Sequence, residues 1–400
     1  MTELFRQAEQ LQDQLVAWRR DLHRIPETGL VLPQTAAYVQ KVLTELGLTW
    51  QEYPGHSGMT VRIGGGPGKT VALRADMDGL KVQEDTGLPY ASQNGNMHAC
   101  GHDSHTAMLL GAAKLLKEHE KELQGTVKLI FQPAEEGPGG AEPMVRDGVM
   151  KDVDGIFAQH IGDLFSGTGK RTVDVTWAET TAADDQVIIH ITGLGGHGAN
   201  PQKCVDPVVI AAQIIQNLQY IVSRETDPFD SVVITIASVE AGRGTFNVIP
   251  EEATLKGTIR NASPRTRDQV LDRIREVAQQ TAAMMRAGCT VEYVDGYPAL
   301  VNDRAMVESF LRTARAALGE EEVNILPHGM TGGEDAAFFF REKPGCFFVL
   351  VSSAPCPLDG MVYGAHHPRF CLDESVFWKG CGLMAQSAAN WLAEQKSGGQ

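Results

Sequence analysis

Four hundred residues exceed the size at which a single hydrophobic core stops growing, so two domains are expected. The composition is that of a globular chain, 42% hydrophobic, and the formal charge of −15 argues against nucleic acid or anionic membrane as partners, since both demand clustered Lys and Arg. Seven dispersed cysteines (100, 204, 289, 346, 356, 371 and 381) indicate a reduced, cytoplasmic protein rather than a disulfide scaffold.

The amino end, MTELFRQAEQLQDQL, lacks the basic-then-apolar order of a signal peptide, and no apolar run approaches the roughly 20 residues of a membrane helix. Leu4, Leu11, Leu15, Trp18 and Leu22 fall close to helical spacing, which predicts one helix over 3–22. Pro26 stops it. A second helix is expected over 34–46, with Gly47 as its C-cap. Strands follow at 58–63 and 70–75, and the latter runs out into Asp76-Met-Asp78. Carboxylates just past a strand's carboxyl end lie where open α/β sheets place their sites.

The stretch His98-Ala-Cys-Gly-His-Asp-Ser-His105 holds three imidazoles, a thiol and a carboxylate within eight residues. Read as an extended segment, Cys100 and His102 point to the same side, and Gly101 between them lets the backbone approach an ion. Thiolate and imidazole suit zinc, manganese, cobalt or nickel rather than calcium. One such histidine alone would be read as a satisfied core group; the density of the cluster favours a metal site whose other ligands come from elsewhere. A helix follows at 104–119, capped by Asp103 or Ser104. The almost wholly apolar strand 126–132 leads into Pro133-Ala-Glu135-Glu136-Gly137, and another strand, 154–159, ends at His160. On an extended backbone the two glutamates diverge, so one could bind metal while the other faces a substrate.

Near residue 180 the pattern changes. A strand at 186–192, the loop Gly193-Leu-Gly-Gly-His197-Gly, a helix at 205–222, strands at 231–239 and 252–260, a helix at 264–287 capped by Ser263, and a strand at 290–295 give the order βαββαβ. Val270, Ile274, Val277, Thr281 and Met284 mark the packed face of the second helix. This order fits a two-layer, ferredoxin-like α+β domain at 181–296, inserted between catalytic segments 1–180 and 297–400. The remainder returns to α/β character: a helix at 303–318, a loop with Gly332-Gly-Glu-Asp335, a strand at 346–351, Gly364-Ala-His366-His367-Pro368, and a final helix at 374–394.

Six strings occur in the order of one family: Arg74-Ala-Asp-Met-Asp78, His98-Ala-Cys-Gly-His-Asp103, Phe131-Gln-Pro-Ala-Glu-Glu136, Gly195-Gly-His197, Gly333-Glu-Asp335 and His366-His-Pro368. The chain resembles the metal-dependent amidohydrolases related to aminoacylase and glutamate carboxypeptidase, in the branch of hippurate and indole-acetyl-amino-acid hydrolases. The resemblance implies a zinc-peptidase-like catalytic domain, with a central mixed sheet flanked by helices, and a smaller lid and dimerisation domain. It implies two divalent ions per chain, manganese or zinc first and cobalt or nickel next, held by Cys100, His102, Glu136, His160 and His366 with Cys100 bridging. Glu135 would be the general base and Asp76 an orienting residue. His197 would stabilise the oxyanion, with Asn247 and Arg260 candidates to hold a substrate carboxylate. For Arg260 the competing reading is a strand residue paired with an acid. The wider family has His-x-Asp where this chain has Arg74-Ala-Asp76, a departure shared by the branch, and Gly332-Gly-Glu-Asp-Ala336 departs from the branch's usual Phe after the acidic pair. The implied reaction is hydrolysis of N-acyl amino acids by a homodimer or a homotetramer. A dipeptidase or carboxypeptidase using the same site, and a metal- or ligand-binding protein without catalysis, are the alternatives.

Overall fold

The structure is a computed structural model and describes residues 3–165 and 171–397. Two compact units emerge from the packing: one of residues 1–180, 301–328 and 335–400, the other of 181–300 together with 329–334. The short segment 329–334 was not expected in the smaller unit.

The larger unit is built on a mixed eight-stranded sheet. Its order is Trp50–Glu52, Met59–Gly64, Gly125–Gln132, Lys69–Asp76, Gly155–Ile161, Gly345–Leu350, Val173–Thr176 and Val323–Leu326. The four strands from Gly125–Gln132 to Gly345–Leu350 run parallel to one another. Gly125–Gln132, Gly155–Ile161 and Gly345–Leu350 are buried at every position, as apolar runs in the middle of a parallel sheet should be. Helix His102–Glu118 packs against Glu3–Gln10, Gln12–His23 and Phe377–Ser397, and it is buried almost all round instead of along one stripe. Met108, Leu109, Leu110, Leu115 and Leu116 join the sheet's Val71, Leu73, Val127, Leu129 and Phe157 in one core.

Several elements differ from their sequence reading. The first helix is two, Glu3–Gln10 and Gln12–His23, with a turn at Leu11, where no Gly or Pro marks the break. Helix His102–Glu118 begins two residues early, with Gly101 at its N-cap in place of Asp103 or Ser104. The short strands Val173–Thr176 and Val323–Leu326 were not anticipated; four residues are too few for period-two patterning to stand out.

The smaller unit is a four-stranded antiparallel sheet in the order Val232–Ala241, Glu252–Asn261, Ala183–Thr192, Gly288–Val294. Helices Pro207–Tyr220 and Pro264–Met284 complete the βαββαβ order. Val187, Ile189, Ile191, Leu255 and Ile259 from the sheet meet Ile210, Ile214, Leu218, Val270 and Ile274 from the helices. Of the expected face of Pro264–Met284, Val270, Ile274 and Thr281 are buried and Val277 packs against the core, while Met284 is 72% exposed and Ala278 and Ala282 complete the buried stripe. Ser263 precedes that helix without a side-chain capping bond. Among the described residues no helix is long and apolar enough to cross a membrane.

Candidate metal centre

Three neighbouring parallel strands deliver the site. Lys69–Asp76 ends on Asp76, Gly125–Gln132 leads into Glu135 and Glu136, and Gly155–Ile161 carries His160. The turn before helix His102–Glu118 brings Cys100 and His102 to the same end.

That turn is not extended. Gly101 has φ +94°, and a Cβ there would meet Ile161 Cγ2 at 2.8 Å. Gly101 is therefore required by a left-handed turn packed against the sheet, and this turn, rather than strand alternation, aims Cys100 and His102 together. Glu135 and Glu136 also lie in a turn, entered through Ala134 at φ +58°. The two side chains do not diverge. Both carboxylates have an oxygen within 4.8 Å of a His102 nitrogen and of each other.

Three donor groups share members, and within each the ligand atoms lie within 4.8 Å of one another: Cys100, His102 and His160; Cys100, Glu136 and His366; His102, Glu135 and Glu136. Cys100 belongs to two of them. Its Sγ lies 3.3 Å from His160 Nε2, and His366 Nε2 lies 3.0 Å from Glu136 Oε1. His102, Cys100 and His160 are buried, whereas the His366 side chain is 56% exposed, so the site opens on the His366 side. His366 itself sits at φ +68°, with its N–H donated to Ala99 O at 2.8 Å.

The ring orientations suit metal binding. His102 donates Nδ1–H to the backbone carbonyl of Asp78 at 3.0 Å, which leaves Nε2 facing the site without a hydrogen-bond partner. Burial lowers the pKa of this imidazole, but Asp76 and Cys100 raise it well above the usual value, so a bound cation would take the place of its second proton. His160 donates Nδ1–H to Ile161 O at 2.8 Å, again leaving Nε2. This is the arrangement in which a histidine ligand's second nitrogen is fixed by a backbone carbonyl. The third imidazole of the cluster is different. His105 Nε2 accepts from Ile161 N at 2.8 Å and Nδ1 meets Asp76 Oδ1 at 2.6 Å, so neither nitrogen is left to coordinate.

Burial, reinforced by His105 and His102 alongside, holds His160 well below its usual pKa and keeps it the neutral imidazole that coordinates. Burial also pushes the Cys100 thiol well above its ordinary range, against the partial help of His102. A divalent cation is the charge that would make this sulfur a thiolate. Burial opposes ionisation of Glu136, but His366 and His102 hold it below its normal pKa. The donor set therefore fits divalent metal.

Asp76 is fully buried and ion-paired to Arg74 Nη1 at 2.8 Å. It faces His102 Nε2 at 3.7 Å, while the bond that fixes the ring goes to Asp78. Arg74, also fully buried, reaches Gln132 Oε1 at 2.8 Å and Asp335 Oδ1 at 3.1 Å. Asp335 further accepts from Gln132 Nε2 and from the N–H groups of Gly140 and Ala141. The sequence marks Asp78 and Asp335 only as members of motifs. Their bonding to segments far along the chain has no local signature.

Behind His102, Asp103 anchors the helix start. Its Oδ2 meets Arg19 Nε at 2.8 Å and His23 Nδ1 at 2.6 Å, and Arg19 is 2% exposed. Burial works against this carboxylate, but Arg19 and His23 hold it well below the usual range. Asp103→Ala should cost about 3 kcal/mol, since it breaks a buried ion pair and leaves Arg19 with Glu374 as its remaining carboxylate at 3.2 Å. Because the folded-state pKa is depressed, the contribution is complete above the unfolded carboxyl value of about 3.9 and is lost as pH falls below it. Urea unfolding of both proteins at pH 7 and near pH 3 checks this: the gap between them should be wide at the first and smaller at the second.

The remaining sequence candidates lie in the smaller unit. His197 is in the short strand Gly196–His197, paired with Val248–Ile249, and Gly198 N donates to Asn247 O at 2.8 Å, so His197 and Asn247 are neighbours. His197 Nδ1 accepts from Ala199 N at 3.1 Å, which places the proton of the neutral ring on Nε2. Arg260 is not brought to that pair by any hydrogen bond. Its Nη1 is held by Asp184 and Thr258, the acid-paired arrangement.

Relatives are consistent with this site. An IAA-amino acid hydrolase of Arabidopsis thaliana is 39% identical, over 96% of this chain and 87% of its own length. The N-acetyl-L-cysteine deacetylase of Bacillus subtilis is 36% identical, over 96% and 89%. A thermostable carboxypeptidase of Saccharolobus solfataricus is also 36% identical, over 92% of each chain. The crystal structure of a dinuclear metal-binding peptidase of B. subtilis superposes with a TM-score of 0.83 at 32% identity, covering 96% of this chain and 99% of the other. Residues 72–390 match the peptidase family M20/M25/M40. With the donor groups above, these matches establish that the chain belongs to the peptidase family M20/M25/M40 and is a metal-dependent hydrolase of amide bonds.

Proposed function

We propose that the protein hydrolyses N-acyl amino acids to a carboxylic acid and a free amino acid at a binuclear centre. The observation that carries this is the sharing of Cys100 between two donor groups, one completed by His102 and His160, the other by Glu136 and His366. Cys100 would bridge two ions, manganese or zinc in the first place and cobalt or nickel in the second. When bound, such ions supply an acidified water and polarise the scissile carbonyl. Glu135, buried beside His102, takes the proton of the attacking water and passes it to the leaving nitrogen. Asp76 holds His105 and Arg74 in place at the floor of the site. His197, with its proton on Nε2, is the donor for the oxyanion. Asn247 and Arg260 are the anchors for the substrate carboxylate, and Arg260 would have to exchange Asp184 for it.

The smaller unit is the proposed lid and dimerisation domain, in a homodimer or homotetramer. Val232–Ala241 is an edge strand of its sheet, and Tyr220, Phe229, Val233 and Val239 are exposed on the same unit. Cytoplasmic residence is supported by seven cysteines that are all free.

The carboxypeptidase relative favours a second reading, in which a peptide takes the place of the acyl amino acid. A hydrolysis panel separates the two: acetyl-, benzoyl-, indole-acetyl- and long-chain-acyl amino acids beside simple dipeptides. The expected result is a kcat/KM at least about tenfold higher for an N-acyl amino acid, ~1.4 kcal/mol of transition-state preference. Preference for free dipeptides would transfer the assignment to a peptidase. Saturable uptake without product would mean a binding protein.

A further inference from the structure

We propose that Asp78 is the positioning residue that sets the general base and its neighbouring carboxylate against the imidazoles of the site. The inference rests on the reading of Glu135 as base given above. Asp78 is 1% exposed and lies two residues beyond the end of Lys69–Asp76. One carboxylate oxygen, Oδ1, accepts from Glu135 N at 2.9 Å; the other, Oδ2, accepts from Glu136 N at 3.0 Å. Its backbone carbonyl accepts from His102 Nδ1 at 3.0 Å and from His98 Nδ1 at 3.2 Å. One residue thus ties together two segments separated in sequence, 98–102 and 135–136.

The chemistry of the carboxylate explains why this position is acidic. Two successive backbone N–H groups converge on it because Ala134, at φ +58°, turns the chain after strand Gly125–Gln132. Both must be accepted, and an ionised carboxylate is acceptor-only at each oxygen. An asparagine offers one acceptor and turns an NH2 toward the other N–H. Asp76 cannot substitute, since its own oxygens are taken up by His105 and Arg74. Misplacing a catalytic group by about 1 Å costs on the order of 10²-fold in rate. Oδ1 also lies 3.5 Å from His102 Nδ1, but the shorter contact of that nitrogen, 3.0 Å, is to the backbone carbonyl, which stays as its acceptor when the side chain is replaced.

The test is a double-mutant cycle of Asp78→Asn and Glu135→Gln, read as kcat and KM on the fastest substrate of the acyl amino acid panel, with manganese at saturation. Asp78→Asn should lower kcat by about 10–100-fold, with KM changed less than about threefold. In the Glu135→Gln background the same substitution should cost less than about twofold, because the group it positions no longer takes a proton. An equal fold loss in both backgrounds would make Asp78 a general support of the fold and overturn the proposal, as would an unchanged kcat. A Glu135→Gln single variant as fast as wild type would instead overturn the base assignment on which the proposal stands, and the single variant reports that separately. Should Asp78→Asn not accumulate as folded protein, Asp78→Ser, which keeps one acceptor oxygen in less space, goes through the same cycle with the same criteria.

Discussion

Glu135→Gln is expected to lower kcat by a factor of about 10²–10⁴ while metal content and KM stay near wild type. The side chain is 7% exposed, and its backbone N–H is fixed by Asp78. Its carboxylate faces His102 and Glu136. Glutamine keeps the shape and the backbone anchor but cannot take a proton from water. Glu136 differs in its partner: its Oε1 lies 3.0 Å from His366 Nε2, in the group that also holds Cys100. Glu136→Gln should therefore release metal before it slows chemistry. Steady-state kinetics with elemental analysis on the same samples reads both. If Glu135→Gln loses metal and Glu136→Gln loses only turnover, the two roles are exchanged.

The second large effect is expected at Cys100. Removing its sulfur takes one donor from each of two groups at once, leaving His102 with His160 on one side and Glu136 with His366 on the other. Loss of an outer partner of a metal ligand already costs about 10–100-fold in affinity or activity. Cys100→Ala, which deletes a donor common to both groups, should exceed that and lose most of the metal with the activity. The fold should survive. Cys100 lies in the turn before the helix, and the left-handed Gly101 and the Asp103–Arg19 ion pair that shape that turn are untouched.

The architecture is readable where periodicity is long. The alternation of Val187, Ile189 and Ile191 and the predominantly apolar run of Gly125–Gln132 each announce a strand and the environment it occupies. The break at Leu11 is not readable, because helix spacing continues across it and no Gly or Pro marks it. The donor residues are readable as types and as a family order, since thiol, imidazole and carboxylate clustered in glycine-marked loops have few other uses. Their geometry is not. Strand alternation would point Glu135 and Glu136 apart, whereas the left-handed Ala134 turns both toward His102. Of the three imidazoles in the 98–105 stretch, only His102 stands in the donor groups with Cys100. His105 is consumed by Asp76 and Ile161 N, while His98 gives Nδ1–H to Asp78 O and is pushed down to about 4 by burial. Such divisions depend on partners far away in sequence, and no local pattern encodes them. Arg260 marks the same limit, because its pairing with the strand neighbour Asp184 depends on the register of two strands far apart in sequence.

The most direct measurement is the metal-to-chain ratio of the purified wild-type protein and of Cys100→Ala, determined by elemental analysis on samples whose hydrolytic activity is assayed in parallel. A binuclear centre bridged by Cys100 predicts a ratio approaching about two in the active wild type. It predicts a ratio well below one, with activity lost, in the variant. A wild-type protein fully active with one ion, or a Cys100→Ala protein that keeps both ions, would contradict it.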